Sequence, residues 1–108
     1  MESSSSHGID ERSDISKLVR VHLRIEGKVQ GVYFRNNMKL IAAENNVKGW
    51  VRNLREGSVE AVLEGKKSDL QEVIKWSHKG PTNAVVINVT VKEELYKGDF
   101  SSFEISDR

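Results

Sequence analysis

Gly27-Lys28-Val29-Gln30-Gly31-Val32-Tyr33-Phe34-Arg35 is the stretch that most constrains this chain. Before it, Val19, Val21, Leu23 and Ile25 alternate with Arg20, His22 and Arg24, the period-two pattern of a half-buried strand. After it, Phe34, Met38, Ile41 and Ala42 fall at the i, i+4, i+7, i+8 spacing of a helix face. A strand therefore enters a two-glycine loop and a helix leaves it. A helix N-terminus carries unpaired N–H groups and a partial positive charge, which together seat an anion. Glycine lets the loop turn its amides inward and approach a ligand closely. Arg35, about one turn into the helix, offers a fork that matches phosphate oxygens. On residue chemistry alone the stretch reads as a small phosphate cradle, or as the plain tight turn that joins strand to helix in many small α/β domains.

The chain has 108 residues, room for one domain with a single core. Its 37% hydrophobic and 31% charged residues suit a soluble globular protein, and the cytoplasm is the expected location. There is no cysteine, which excludes disulfides and thiolate chemistry. No apolar run is long enough to span a membrane, and Met1 to Gly8 lacks the apolar stretch of a secretory signal. Residues 1–18 carry a net charge of −2 and the remainder +3. That mild excess favours a small anionic substrate and falls short of the basic stripe of a nucleic-acid binder. A monomer without nucleic-acid or membrane partners is expected.

Residues 1–18 are Ser-rich, polar and aperiodic, and are expected to form a flexible lead to a domain over 19–108. Within that domain the first strand is expected over Val19–Glu26 and the first helix over Tyr33–Asn46, with Asn45, Asn46 and Gly49 as its stop. Val47–Leu54 and Ser58–Glu64 read as a hairpin turning at Arg55-Glu56-Gly57. Ser68-x-x-Gln71 reads as a capping box opening a second helix, with Leu70, Val73 and Ile74 inward and a stop at Gly80-Pro81. Val85, Ile87, Val89 and Val91 alternate as a fourth strand, and Phe103 and Ile105 mark a short final one. The order predicts an α+β class, a ferredoxin-like βαββαβ sandwich. Two helices cover one face of a mainly antiparallel sheet of four to five strands.

Chemistry is narrowed by what is missing. No cysteine nucleophile, paired-carboxylate cluster, P-loop or serine elbow is present, and His7, His22 and His78 belong to no motif. Arg35, the loop amides and Asn53 remain. On position alone Asn53 reads first as an ordinary turn residue closing the hairpin.

Gly27-x-Val29-Gln30-Gly31-Val32-x-Phe34-Arg35 resembles the first signature of the acylphosphatases. Gly49-Trp50-Val51-Arg52-Asn53-x-x-x-Gly57-x-Val59, followed by Gly65, resembles the second. Tyr96-Lys97-Gly98-x-Phe100-x-x-Phe103-Glu104-Ile105 is similar to the family's closing segment, so the resemblance runs over about residues 19–106. It implies the same ferredoxin-like fold and hydrolysis of an acyl phosphate to a carboxylate and inorganic phosphate. In that resemblance Arg35 falls on the phosphate-binding arginine and Asn53 on the asparagine that positions water. The backbone of Gln30, Gly31, Val32, Tyr33 and Phe34 falls on the phosphate loop. No metal or cofactor is implied. The carboxylate leaves without a general acid, and the phosphate oxygens take up the water's proton. Tyr33 stands where the family often has a small residue, and Trp50 is expected as packing or a wall of the site. The alternative is a non-catalytic, anion-binding module like the one that begins the hydrogenase-maturation carbamoyltransferases. Those continue for hundreds of residues, against the 108 here. An RNA-binding reading lacks its aromatic platform, since the strands offer His22, Ser58, Glu60 and Val62 where stacking rings are needed.

Overall fold

A computed structural model describes residues 15–107, so most of the expected flexible lead, residues 1–14, lies outside the described residues. Five strands and two helices follow one another as β1 (Leu18–Lys28), α1 (Phe34–Glu44), β2 (Lys48–Asn53), β3 (Val59–Lys66), α2 (Lys67–Lys79), β4 (Val85–Glu94) and β5 (Phe103–Ile105). The sheet runs β4-β1-β3-β2-β5. All neighbours are antiparallel except β2 and β5. The expected α+β sandwich, with a fifth strand at the edge, is the fold observed.

Alternation along β1 puts Val21, Leu23 and Ile25 in the core beneath the helices, while Arg20, His22 and Arg24 face the open side. Val59, Ala61 and Leu63 do the same on β3 and are fully buried. Phe34, Met38 and Ala42 from α1 and Leu70 and Val73 from α2 close the core from above. The two helices meet where the Phe34 ring packs against the half-buried Trp76, with ring centres 5.0 Å apart.

Several local expectations are corrected. Helix α1 starts at Phe34 and ends at Glu44, shorter at both ends than expected. Its stop is Asn46 at φ 58, with Val47 N–H donating to the Ala42 carbonyl at 2.8 Å and Asn46 N–H to Ala43 at 3.3 Å, a Schellman closure. Gly49 takes no part in that stop. It lies in β2, where a Cβ would fall 1.8 Å from the Val62 carbonyl oxygen. The Ser68 capping box does not form, because α2 begins at Lys67 with Lys66 at the cap, two residues earlier than the box requires. The Lys67 N–H, one of the orphan donors of the first turn, is taken at 2.9 Å by the Lys17 carbonyl. The alternation expected on β4 breaks at Ile87. Gly27 pairs with Val86 and Glu26 with Asn88, so Ile87 bulges out of the ladder and is 78% exposed. Val86 and Val89 reach the core instead.

Candidate active site

Register brings the two signatures together. Both β1 and β2 run antiparallel to β3, and Val59 of β3 pairs with Ile25 on one side and Asn53 on the other. The C-terminal ends of β1 and β2 therefore share one edge of the sheet. The loop leaving β1 arrives beside Asn53, and the sequence condition for Asn53 to face the cradle is met.

The loop carries two left-handed residues. Gly31 has φ 73, and Tyr33, the N-cap of α1, sits in the left-handed region at φ 64, ψ 28. Such alternation turns successive N–H groups to one side. The first helical donor is Asn37, whose N–H reaches the Tyr33 carbonyl at 3.1 Å. Among the described residues no main-chain carbonyl accepts from the N–H groups of residues 31–36. No acidic side chain occupies the first turn of α1, so its positive end is left for a ligand.

These groups open onto a cleft of about 340 Å³ lined by Val29, Gln30, Gly31, Tyr33, Phe34, Arg35, Asn36 and Asn53. Six of the seven residues singled out in the sequence line it. Val32 does not, since its side chain is buried in the core and only its main chain belongs to the loop. Val29 and Asn36 are additions. Asn36 follows Arg35 on the first turn of α1, a placement that the start of the helix would have signalled. Trp50 is not in the cleft. It lies on the open face under the Arg52 guanidinium, 5.1 Å from the ring centre.

Two features mark the cleft as chemically uncommitted. The Oδ1 atom of Asn53 is buried without a hydrogen-bond partner. Arg20, Arg24 and Arg52 each hold a carboxylate, whereas Arg35 has no carboxylate partner among the described residues. A half-buried guanidinium beside unpaired amides is a strong attractor for an oxyanion. Among the described residues no group of three or more His, Asp or Glu side chains is placed to hold a metal ion.

The Gln30 side chain spans the gap between the two signatures. Its amide nitrogen donates to the Leu54 carbonyl at 2.7 Å and to the Ser58 carbonyl at 2.9 Å. The sequence pointed only to its backbone, because the contact depends on where the β2–β3 turn lies.

A two-helix α+β sandwich with an arginine and unbonded main-chain amides around a cleft at the strand-to-helix join is thus the class of protein that the fold and site define. Residues 21–105 match the family model Acylphosphatase. An acylphosphatase of Pyrobaculum calidifontis is 53% identical over 90 residues, covering 82% of this chain and 82% of the relative. The solved acylphosphatase from Coxiella burnetii superposes with a TM-score of 0.79 at 36% identity, covering 82% of this chain and 93% of that one. HypF of T.kodakarensis matches at TM-score 0.73 and 31% identity, over 83% of this chain but 12% of its own. The chain belongs to the acylphosphatase family, whose enzymes hydrolyse acyl phosphates.

Proposed function

We propose that this chain hydrolyses acyl phosphates through Arg35, the main-chain amides of Gln30 to Phe34, and Asn53, with no metal or cofactor, as a cytoplasmic monomer acting on a small-molecule substrate. Family membership supports the reaction, and one observation carries the assignment of roles. The unsatisfied Oδ1 of Asn53 shares a cleft with unpaired amides and an unpaired arginine. A buried acceptor without a partner costs about 1–3 kcal/mol, a cost that a water bound for reaction would remove.

In this mechanism the amides and Arg35 hold the phosphate and meet the charge on its equatorial oxygens. The Asn53 oxygen accepts a hydrogen bond from a water and aims it in line with the bond to the acyl group. Asparagine is no base, and none is needed. The leaving carboxylate is weakly basic, and the largely dissociative phosphoryl transfer asks little of the nucleophile. The water's oxygen bonds to phosphorus as the P–O bond to the acyl group breaks. The water's proton passes to a phosphate oxygen. Carboxylate and inorganic phosphate leave.

The monomeric state, and the absence of a nucleic-acid partner, are supported by the open sheet face. Its arginines are engaged with Glu60, Glu64, Glu94 and Glu56, and among the described residues β1 and β3 carry no Phe, Trp or Tyr. Light scattering at the mass of one chain would bear the monomer out, and a dimer mass would remove it.

The test is phosphate release from benzoyl phosphate with a chelator present. Wild type should turn over unimpaired by the chelator, while Arg35→Gln and Asn53→Ala lose about 10²- to 10³-fold in kcat/KM and stay folded. A folded wild type without turnover would leave the cradle as an anion-binding relic in an accessory module.

A further inference from the structure

We propose that the Gln30 side chain is a positioning residue, one that locks Asn53 in register with the phosphate cradle. The inference rests on the reading of Asn53 as the acceptor that aims the water. Gln30 is in the cradle loop, and Asn53 is the last residue of β2 before a turn. No ladder bond joins them, because β3 lies between β1 and β2. The Gln30 amide is the bridge. Its nitrogen carries two hydrogens, and both are spent on the far side of the gap, one on Leu54, next to Asn53, and one on Ser58. The bridged turn is itself closed by Leu54 N–H to the Ser58 carbonyl at 2.8 Å and Gly57 N–H to the Leu54 carbonyl at 3.1 Å. Gln30 thus grips a rigid ring at its base rather than a loose loop.

Two consequences follow from that geometry. First, the amide has no hydrogen left for a phosphate oxygen, so the side chain acts through Asn53 and does not bind substrate. Second, removing it does not orphan the two carbonyls, because each keeps a main-chain donor. Gln30→Met, which keeps the length and loses the donors, is therefore expected to fold. An in-line attack is sensitive to displacements of about 1 Å, so loosening this bridge should lower kcat by about tenfold. It should leave KM and inhibition by inorganic phosphate within about twofold, because those report the cradle.

The deciding experiment is a cycle of Gln30→Met, Asn53→Ala and the double variant on benzoyl phosphate, with the Asn53 side-chain amide followed by ¹⁵N NMR. Positioning predicts a fall of about tenfold in the wild-type background and less than about twofold once Asn53 is gone. It also predicts a shifted or exchange-broadened Asn53 resonance in Gln30→Met. Equal losses in both backgrounds, or a matching loss of phosphate inhibition, would overturn the proposal. Should wild type fail to turn over, the catalytic reading falls by itself. The NMR arm then decides alone: an Asn53 resonance unchanged in Gln30→Met overturns the bridge, and a changed one upholds it.

Discussion

Tyr33 occupies a backbone conformation that suits glycine, and its carbonyl is held there by Asn37 through the main chain at 3.1 Å and the side-chain amide at 2.8 Å. The left-handed region costs a non-glycine residue about 1–2 kcal/mol. Its ring is 76% exposed and buries little in return. Replacing an exposed residue by glycine ordinarily costs about 0.5–1 kcal/mol in chain entropy, so Tyr33→Gly should leave stability unchanged or raise it by up to about 1 kcal/mol. Urea unfolding measures this, and a loss above about 1 kcal/mol would show that the ring packs more than its exposure implies. Gly49 is the opposite case. Its φ of 142 and the 1.8 Å approach to the Val62 carbonyl leave no room for a methyl group, so Gly49→Ala should destabilise by more than about 3 kcal/mol or prevent folding. Gly49 was visible as a fixed position of the second signature, and Tyr33 as a variable position of the first that departs from the small residue often found there. Neither backbone angle was legible, since φ at Tyr33 follows from the winding of the loop, and the crowding at Gly49 comes from β3.

Among the elements, the closing segment after β4 is tied to the sheet by one side chain. Glu64 of β3 is 3% exposed and accepts from Lys97 N–H at 2.9 Å, Gly98 N–H at 3.2 Å and Arg20 at 3.2 Å. Arg20 in turn holds Glu94 at 3.0 Å and lies 5.2 Å from the centre of the Phe100 ring. One carboxylate thus joins β3, β1, the end of β4 and the path to β5. Glu64→Gln keeps the shape but loses the charge and turns one acceptor into a donor facing other donors. A cost of about 1–3 kcal/mol is expected, with amide exchange accelerated first at Lys97 and Gly98. Uniform acceleration across the sheet would contradict the local role. Sequence periodicity carried the elements as far as hydrophobic alternation reaches. It gave each strand's inner face on β1 and β3, where period two is unbroken. It failed at Ile87, because a bulge inserts a residue without altering composition, and only the pairing with Gly27 reveals it. It failed at Ser68 because β3 runs through Lys66 directly into the helix, with the Lys67 N–H held by the distant Lys17 carbonyl, so Ser68 falls inside the first turn rather than at the cap. Arg35 and Asn53 were legible through the motifs, whereas the Gln30 bridge needed the tertiary position of the turn.

Across the whole molecule the two faces of the sheet do different work. The helix face holds the core and, at one edge, the cleft. The open face carries charge in linked sets: His22 and Arg52 each contact Glu60 at 2.6 Å, Arg24 pairs with Glu56, and Arg20 with Glu64. Burial raises the Glu60 and Glu64 carboxyls, but donors outweigh it and hold both below the ordinary value of 4.5. Those donors are His22 and Arg52 for Glu60, and the Lys97 and Gly98 amides with Arg20 for Glu64. Glu56 is lowered too, first by the Ser58 hydroxyl. A carboxyl depressed in the folded state binds its proton more readily in the unfolded one. Its stabilising contribution is therefore full above 4.5 and is lost as pH falls through the lower folded value. Acid should accordingly weaken the protein below about pH 4.5, while the helix face, free of such groups in its core, stays indifferent. Thermal unfolding of wild type and Glu60→Gln between pH 3 and pH 7 tests this. The variant should be less stable at neutral pH, and the gap should narrow steadily as acid protonates Glu60 in wild type. A gap that stays constant down to pH 3 would mean that Glu60 stabilises by packing alone. If the gap closes without loss of the cleft's phosphate affinity above pH 5, the open face serves stability and the opposite face serves chemistry, the separation that lets a chain this short do both.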